Sequence, residues 1–203
     1  MLSYLFSSPL IFFLSLVGLL TALTIHEYAH ALVADRLGDP TPRANNRLTL
    51  NPLAHLDPIG TLTLLIVGFG WGKPVPIDPF NLRSPRQDTT LISVAGPVSN
   101  LLLAISLSLL AKTFLPSFFL LLLTPTILIN VSLAIFNLLP IYPLDGAKIL
   151  SGILPRDLAY EWESVTNRYG TLILLILILP IFGNSLISSL VSPIIQFVSQ
   201  FLL

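Results

Sequence analysis

Residues 9–35 form an apolar stretch long enough to cross a bilayer, and inside it stand His26, Glu27 and His30. As a helix the stretch extends about 40 Å, against roughly 30 Å of hydrocarbon. A charged side chain at the centre of a spanning helix costs roughly 2.5–3.5 kcal/mol on insertion scales, so the fold must shelter and partner these groups. His26 and His30 are four residues apart, hence about 40° apart around a helix, and their imidazoles can converge on one ion. Glu27 projects about 100° from His26, close to such an ion without having to bind it. The H-E-x-x-H spacing is that of a metal-activated water with its base. Counting about 26 Å from Pro9 puts His26 near the far edge of the hydrocarbon.

The rest of the chain supports a membrane setting. Hydrophobic residues make up 54%, charged residues only 10%, and the mean hydropathy is +0.86, far more apolar than a soluble domain. The formal net charge is zero, which gives no reason to expect nucleic acid as a partner. The absence of cysteine excludes disulfides and thiolate ligands, so a zinc site must use histidine and carboxylate. Residues 1–23 lack the basic start and small-residue cleavage site of a signal peptide and are expected to remain as part of a spanning helix. A single membrane-embedded domain is expected over residues 1–203, with a catalytic core over 9–153, C-terminal helices over 154–203, and no room for an appended soluble module.

The expected fold class is all-α integral membrane, with about five transmembrane helices at 9–35, 88–111, 117–139, 169–183 and 185–203. Between the first two spans a small β-strand or re-entrant insertion is expected. Residues 37–58 are polar and rich in Pro, Asn and Gly, with Asn46 to Leu50 alternating like a short strand. The apolar run at 59–70, with Gly60, Gly68 and Gly70, is too short to span and reads as re-entrant or packed. Pro74, Pro76 and Pro79 make 72–81 an extended edge strand or a loop, because proline removes backbone donors. Pro125 and Pro180 predict kinks. With five spans, Arg36, Arg43, Arg47, Lys73, Arg83, Arg86, Lys148, Arg156 and Arg168 share one side and Lys112 faces the other, which identifies the shared side as cytoplasmic.

A catalytic zinc takes three protein ligands and keeps one position open, so a third donor is needed. His55, Asp57 and Asp145 are the available donors. Asp145 follows the third span at the depth of His30, after Pro140 and Pro143 and before Gly146, where irregular backbone lining a cavity is expected. It is the preferred ligand. Gly96, Pro97, Asn100 and Asn130 read as helix packing with polar links, and Glu161 and Glu163 as solvated.

Several stretches in order extend this pattern: His26-Glu-Tyr-Ala-His30, Asn51-Pro-Leu-Ala-His55-Leu-Asp57-Pro-Ile-Gly60, Trp71-Gly-Lys-Pro-Val-Pro76, Ala95-Gly-Pro-Val-Ser-Asn100, and Asn137-Leu-Leu-Pro140 through Pro143-Leu-Asp145-Gly146. Over roughly residues 20–150 the chain resembles the site-2 protease family of intramembrane zinc metalloproteases, in a minimal form without PDZ or CBS modules. The resemblance implies one zinc per chain on His26, His30 and Asp145, with Glu27 as base and acid. It also implies hydrolysis of membrane-spanning proteins near the cytosolic leaflet. Asn137 and His55 are candidates for contacts to substrate or oxyanion, and His55, Asp57 and Asn51 for a water path to the metal. Candidate substrates are a membrane-tethered anti-sigma factor or a transcription-factor precursor. The expected location is a multi-pass position in a prokaryotic cell membrane, with an organelle membrane as the other option. Two competing readings are a metal-binding membrane transporter and a catalytically silent scaffold of the same fold.

Overall fold

The computed structural model describes residues 2–67, 70–179 and 185–203, apart from the side chains of 2–4 and 117. A short helix α1 (Leu2–Ser7) leads into α2 (Pro9–Leu37), which carries Pro at its first turn and ends at Gly38. Gly38 has φ 108°, and the N–H groups of Gly38 and Asp39 close back on the Asp35 and Ala34 carbonyls. A left-handed glycine of this kind stops the helix and turns the chain without strain from a Cβ.

After α3 (Thr41–Ala44), a 3-10 turn at Pro52–Ala54 leads to α4 (Pro58–Val67). Asp57 starts α4 by accepting the Gly60 N–H through Oδ1 at 2.8 Å. With ten residues, α4 is about 15 Å long, half the hydrocarbon thickness. Its Ile59, Leu62, Ile66 and Val67 are exposed. Gly68 lies outside the described residues.

The expected strands did not form. Among the described residues there is no strand, only one isolated antiparallel bridge between Leu56 and Gly72. The reason lies in the donors. Pro74, Pro76 and Pro79 have none, and the N–H groups of Val75 and Asp78 go to the carboxylates of Glu27 and Asp39. The segment is an extended loop tied by side chains, ending in a 3-10 turn at Pro79–Asn81.

Helices α5 (Pro85–Phe114) and α6 (Ser117–Asn137) match the second and third expected spans, and among the described residues α2, α5 and α6 are the three helices long and apolar enough to cross a membrane. The chain is a membrane protein. Each pair of these helices is in contact. Small residues allow the approach: a Cβ on Gly18 would stand 2.9 Å from the Thr126 Cα of α6. The helix α6 runs through Pro125. The polar interval after it holds α7 (Asp145–Ile153), packed on α5.

Of the expected fourth span at 169–183, residues 169–178 are the C-terminal part of a longer helix α8 (Arg156–Ile178), whose first half carries Arg156, Asp157, Glu161 and Glu163. Pro180, the site of an expected kink, lies outside the described residues. The apolar helix α9 (Leu186–Leu202) has 17 residues and packs on α6. A buried cluster of Ala104, Ile127, Val131, Ile135, Leu144, Leu174, Ile187 and Val191 joins α5, α6, α8 and α9. Outward faces of α2, α5, α6, α8 and α9 expose large apolar side chains, as lipid-facing surfaces do.

Candidate metal centre

The buried face of α2 repeats every four residues: Gly18, Ala22, His26, His30 and Ala34, with Glu27 and Ala31 beside them. Because the opposite face is also apolar, the helix shows little amphipathic contrast, yet its small residues mark the side that meets α5 and α6. His26, Glu27 and His30 are 4%, 9% and 7% exposed, so these polar groups are withdrawn from lipid into the helix cluster.

Each imidazole is held by its Nδ1. His26 Nδ1 lies 2.7 Å from Asn100 Oδ1, and His30 Nδ1 lies 2.7 Å from the Ile92 carbonyl. Asn100 donates its amide to the Ala22 carbonyl at 2.9 Å and to Asn130 Oδ1 at 2.8 Å, which leaves its Oδ1 facing His26. Asn130 in turn donates to the Thr126 carbonyl at 2.8 Å. Both Nδ1 partners are pure acceptors, so both rings carry the proton on Nδ1 and present an Nε2 lone pair.

Those lone pairs face each other and a carboxylate. The two Nε2 atoms are 3.0 Å apart, and Asp145 Oδ2 lies 3.1 Å from His26 Nε2 and 3.2 Å from His30 Nε2. Asp145 Oδ2 is buried and receives no hydrogen bond. Three electron-rich atoms packed this closely repel unless a cation joins them. Ligand atoms around tetrahedral zinc with bonds of about 2.0–2.1 Å stand about 3.3 Å apart, close to the observed triangle, and two histidines with a carboxylate form a catalytic zinc set. The residues fit zinc. His26, His30 and Asp145 are the group of the described residues able to hold a metal.

Two glycines make this approach possible. A Cβ on Gly96 of α5 would stand 2.5 Å from His30 Nε2 and 2.6 Å from His26 Cε1, so the imidazole pair occupies the space above that glycine. A Cβ on Gly146 would stand 2.3 Å from the Leu138 and Leu139 carbonyls, so only glycine lets α7 start close enough beneath α6 to present Asp145. The packing reading of Gly96 and Asn100 was therefore incomplete: both residues border the histidines. The signal was present in Ala95-Gly-Pro-Val-Ser-Asn100, but no local periodicity says which atoms it meets.

Glu27 takes no part in the triangle. Its Oε2 accepts the Val75 N–H at 3.0 Å and lies 4.0 Å from the Arg47 guanidinium. The structure does not bring His55 to this carboxylate. Its side chain is fully buried, Nε2 donates to the Thr49 carbonyl at 2.8 Å, and its own carbonyl accepts the Lys73 N–H at 2.8 Å, so it ties loop to loop. Asn137, in the last turn of α6, is half-buried and donates to the Leu133 carbonyl at 2.9 Å. Glu161 and Glu163 are both exposed as expected, and Glu163 also accepts a hydrogen bond from Ser151.

Sequence comparison extends the likeness beyond these residues. The model of peptidase family M50 matches residues 117–177, which include Asn137 and Asp145. YwhC of Bacillus subtilis is 38% identical over 182 residues, covering 83% of this chain and 81% of that protein. Rip2 of Mycolicibacterium smegmatis is 31% identical over 180 residues, 83% of this chain and 68% of its own. MJ0392 of Methanocaldococcus jannaschii is 28% identical over 123 residues, 57% of this chain and 35% of its own. MJ0392 is named a zinc metalloprotease, and YwhC and Rip2 each carry the name "Putative zinc metalloprotease". No solved structure matches the chain. With YwhC 38% identical over most of both lengths, the chain belongs to peptidase family M50, the site-2 protease family of zinc metalloproteases.

Proposed function

We propose that the chain is an intramembrane endopeptidase that cleaves membrane-spanning proteins, with His26, His30 and Asp145 holding one zinc and Glu27 carrying the proton. The observation that supports this most is the lone-pair triangle with both Nδ1 protons committed elsewhere, set one residue from a carboxylate that stays outside it. When bound, zinc supplies a Lewis acid beside the scissile carbonyl and lowers the pKa of water to about 7.

The remaining work falls to side chains. With Oε2 held by Val75 N–H, Glu27 has Oε1 to accept the proton of the attacking water. It then delivers that proton to the leaving amine. Asn100 and the Ile92 carbonyl keep the two imidazoles in one tautomer and one orientation. Asn137 is the candidate donor to substrate or oxyanion. His55 is the weaker candidate, because its buried ring is already bonded to Thr49; with Asp57 and Asn51 it borders the polar route by which water would arrive.

The proposed topology has five spans, with α8 and α9 completing the bundle begun by α2, α5 and α6, in one domain over residues 1–203. It puts nine of the ten basic residues and the zinc end of α2 on the cytoplasmic side of a prokaryotic cell membrane. A substrate helix hides its carbonyls and must unwind before attack. The extended Pro74 to Asp78 segment, beside Glu27, is the proposed docking edge for the unwound strand. A membrane-tethered anti-sigma factor or transcription-factor precursor fits the substrate class.

The test uses purified protein in liposomes with a panel of single-span reporter proteins, with zinc content measured for each variant. Wild type is expected to hold about one zinc and cleave, Glu27→Gln to hold zinc without cleaving, and Asp145→Ala to lose both. Cleavage by Glu27→Gln at the wild-type rate would overturn the assignment of the base.

A further inference from the structure

Among the described residues Arg47 is the basic side chain that the fold buries beside the site: it is 4% exposed, in the loop after α3. Burying a guanidinium without a counter-charge is strongly unfavourable, so its surroundings should explain it. Its Nη2 donates to the Lys73 carbonyl and lies 4.0 Å from Glu27 Oε2. Its Nε is buried and has no partner. Two residues beyond Lys73, the Val75 N–H donates to that same Glu27 oxygen. His55 adds a second tie at Lys73, accepting its N–H while its imidazole donates to the Thr49 carbonyl.

The contacts make a closed circuit. Arg47 grips the Lys73 carbonyl, the Lys73–Val75 backbone grips Glu27, and among the described residues Glu27 provides the carboxylate paired with Arg47. We propose that Arg47 is the positioning residue for Glu27, acting through the Lys73–Val75 backbone and through its own charge to hold the carboxylate turned away from the metal ligands. Left free on a helix at H-E-x-x-H spacing, a glutamate near a cation can swing in and become a ligand itself. A carboxylate anchored at Oε2 by an amide and faced by a guanidinium keeps Oε1 for proton transfer instead. The inference rests on Glu27 being the proton carrier.

Arg47→Gln and Arg47→Lys are compared with Glu27→Gln and the Arg47→Gln/Glu27→Gln double variant, all zinc-loaded. Two readouts are taken: melting temperature in detergent, and kcat and KM on the single-span reporter cleaved by wild type. Displacing a catalytic group by about 1 Å can cost about 10²-fold in rate, so Arg47→Gln is expected to lower kcat by about that factor with KM and zinc content unchanged. Arg47→Lys, which keeps the charge, is expected to recover most of the rate. The melting-temperature losses of the two single variants are expected not to add in the double variant. Additive losses, or a kcat per zinc-loaded molecule unchanged in Arg47→Gln, would each overturn the role of Arg47. Neither bears on whether Glu27 is the base, since Glu27→Gln alone decides that.

Discussion

The α2–α5–α6 cluster and the α8–α9 pair treat their polar residues in different ways. In the first, His26, His30, Asn100 and Asn130 are buried, and each is committed to a named partner on another helix or turn. In the second, Glu161, Gln196 and Gln200 are exposed, and the buried positions are mostly apolar or small: Ala159, Gly170, Leu174, Ile187 and Val191. Leaving a polar side chain unpaired inside a helix cluster is costly, most of all for amides and imidazoles. Those in the cluster border the metal centre through His26 and His30, whereas α8 reaches it by way of α7, where Glu163 and Trp162 bond Ser151 and the Ala147 carbonyl.

Gly96→Ala tests the contrast most severely. Its new Cβ falls 2.5 Å from His30 Nε2, so the imidazoles must move, and zinc affinity is expected to fall more than about 10²-fold. Competition with a chelator measures this. Retained affinity would mean that α5 yields more readily than a packed helix should.

Asn100→Leu comes next. It removes the acceptor for His26 Nδ1, and a loss of about 10–100-fold in zinc affinity is expected, the usual cost of losing a ligand's hydrogen-bond partner. Asn130→Leu should do less by the same assay, because it reaches His26 only through Asn100.

Asp39, in the turn after α2, offers a smaller effect of a different kind. Fully buried, it accepts from the Thr41 N–H and Asn81 amide through Oδ1 and from the Asp78 N–H through Oδ2. Burial pushes its carboxyl up, but these donors outweigh burial and hold it below the ordinary carboxylate value. A depressed folded value contributes stability that is present above the unfolded value of about 3.9 and is lost as pH falls through the folded one. Asp39→Asn is expected to destabilise by about 1–3 kcal/mol at pH 7, by turning a donor toward the Asp78 N–H. The gap from wild type should narrow below about pH 4. Melting curves in detergent at several pH values would show it.

The smallest effect belongs to the second region. Glu161→Gln on the exposed face of α8 is expected to change stability by less than about 0.5 kcal/mol and to leave zinc content as in wild type. A loss of zinc there would break the comparison, since it would couple the exposed face of α8 to the metal centre.

Much of this was legible before the fold. The long apolar runs marked α2, α5 and α6 to within a few residues, and the four-residue spacing of His26 and His30 put both imidazoles on one face. Asp145 was within reach of sequence reasoning because span counting returns it to the depth of His30. The strands were misjudged because alternation at 46–50 and the prolines at 74–79 say nothing about where donors go. Those of Val75 and Asp78 go to carboxylates, and those of Asn46, Arg47 and Thr49 to nearby backbone carbonyls, not to a neighbouring strand. The start of α8 was set too late, since its amphipathic first half lacks the hydropathy that marked the other spans.

By itself the sequence determined membrane residence, the phase of the histidines on their helix, and the exclusion of sulfur ligands. These depend on residue type and on a 3.6-residue period, both local. Only the tertiary structure decided that Asn100 and the Ile92 carbonyl orient the rings, that Gly96 leaves them room, and that Arg47 and Val75 meet Glu27. Those partners lie 20 to 74 residues away along the chain, and two of them are backbone groups that every residue except proline carries alike. Their roles arise from which helix and loop atoms packing brings within 3 to 4 Å, a choice that no local pattern encodes.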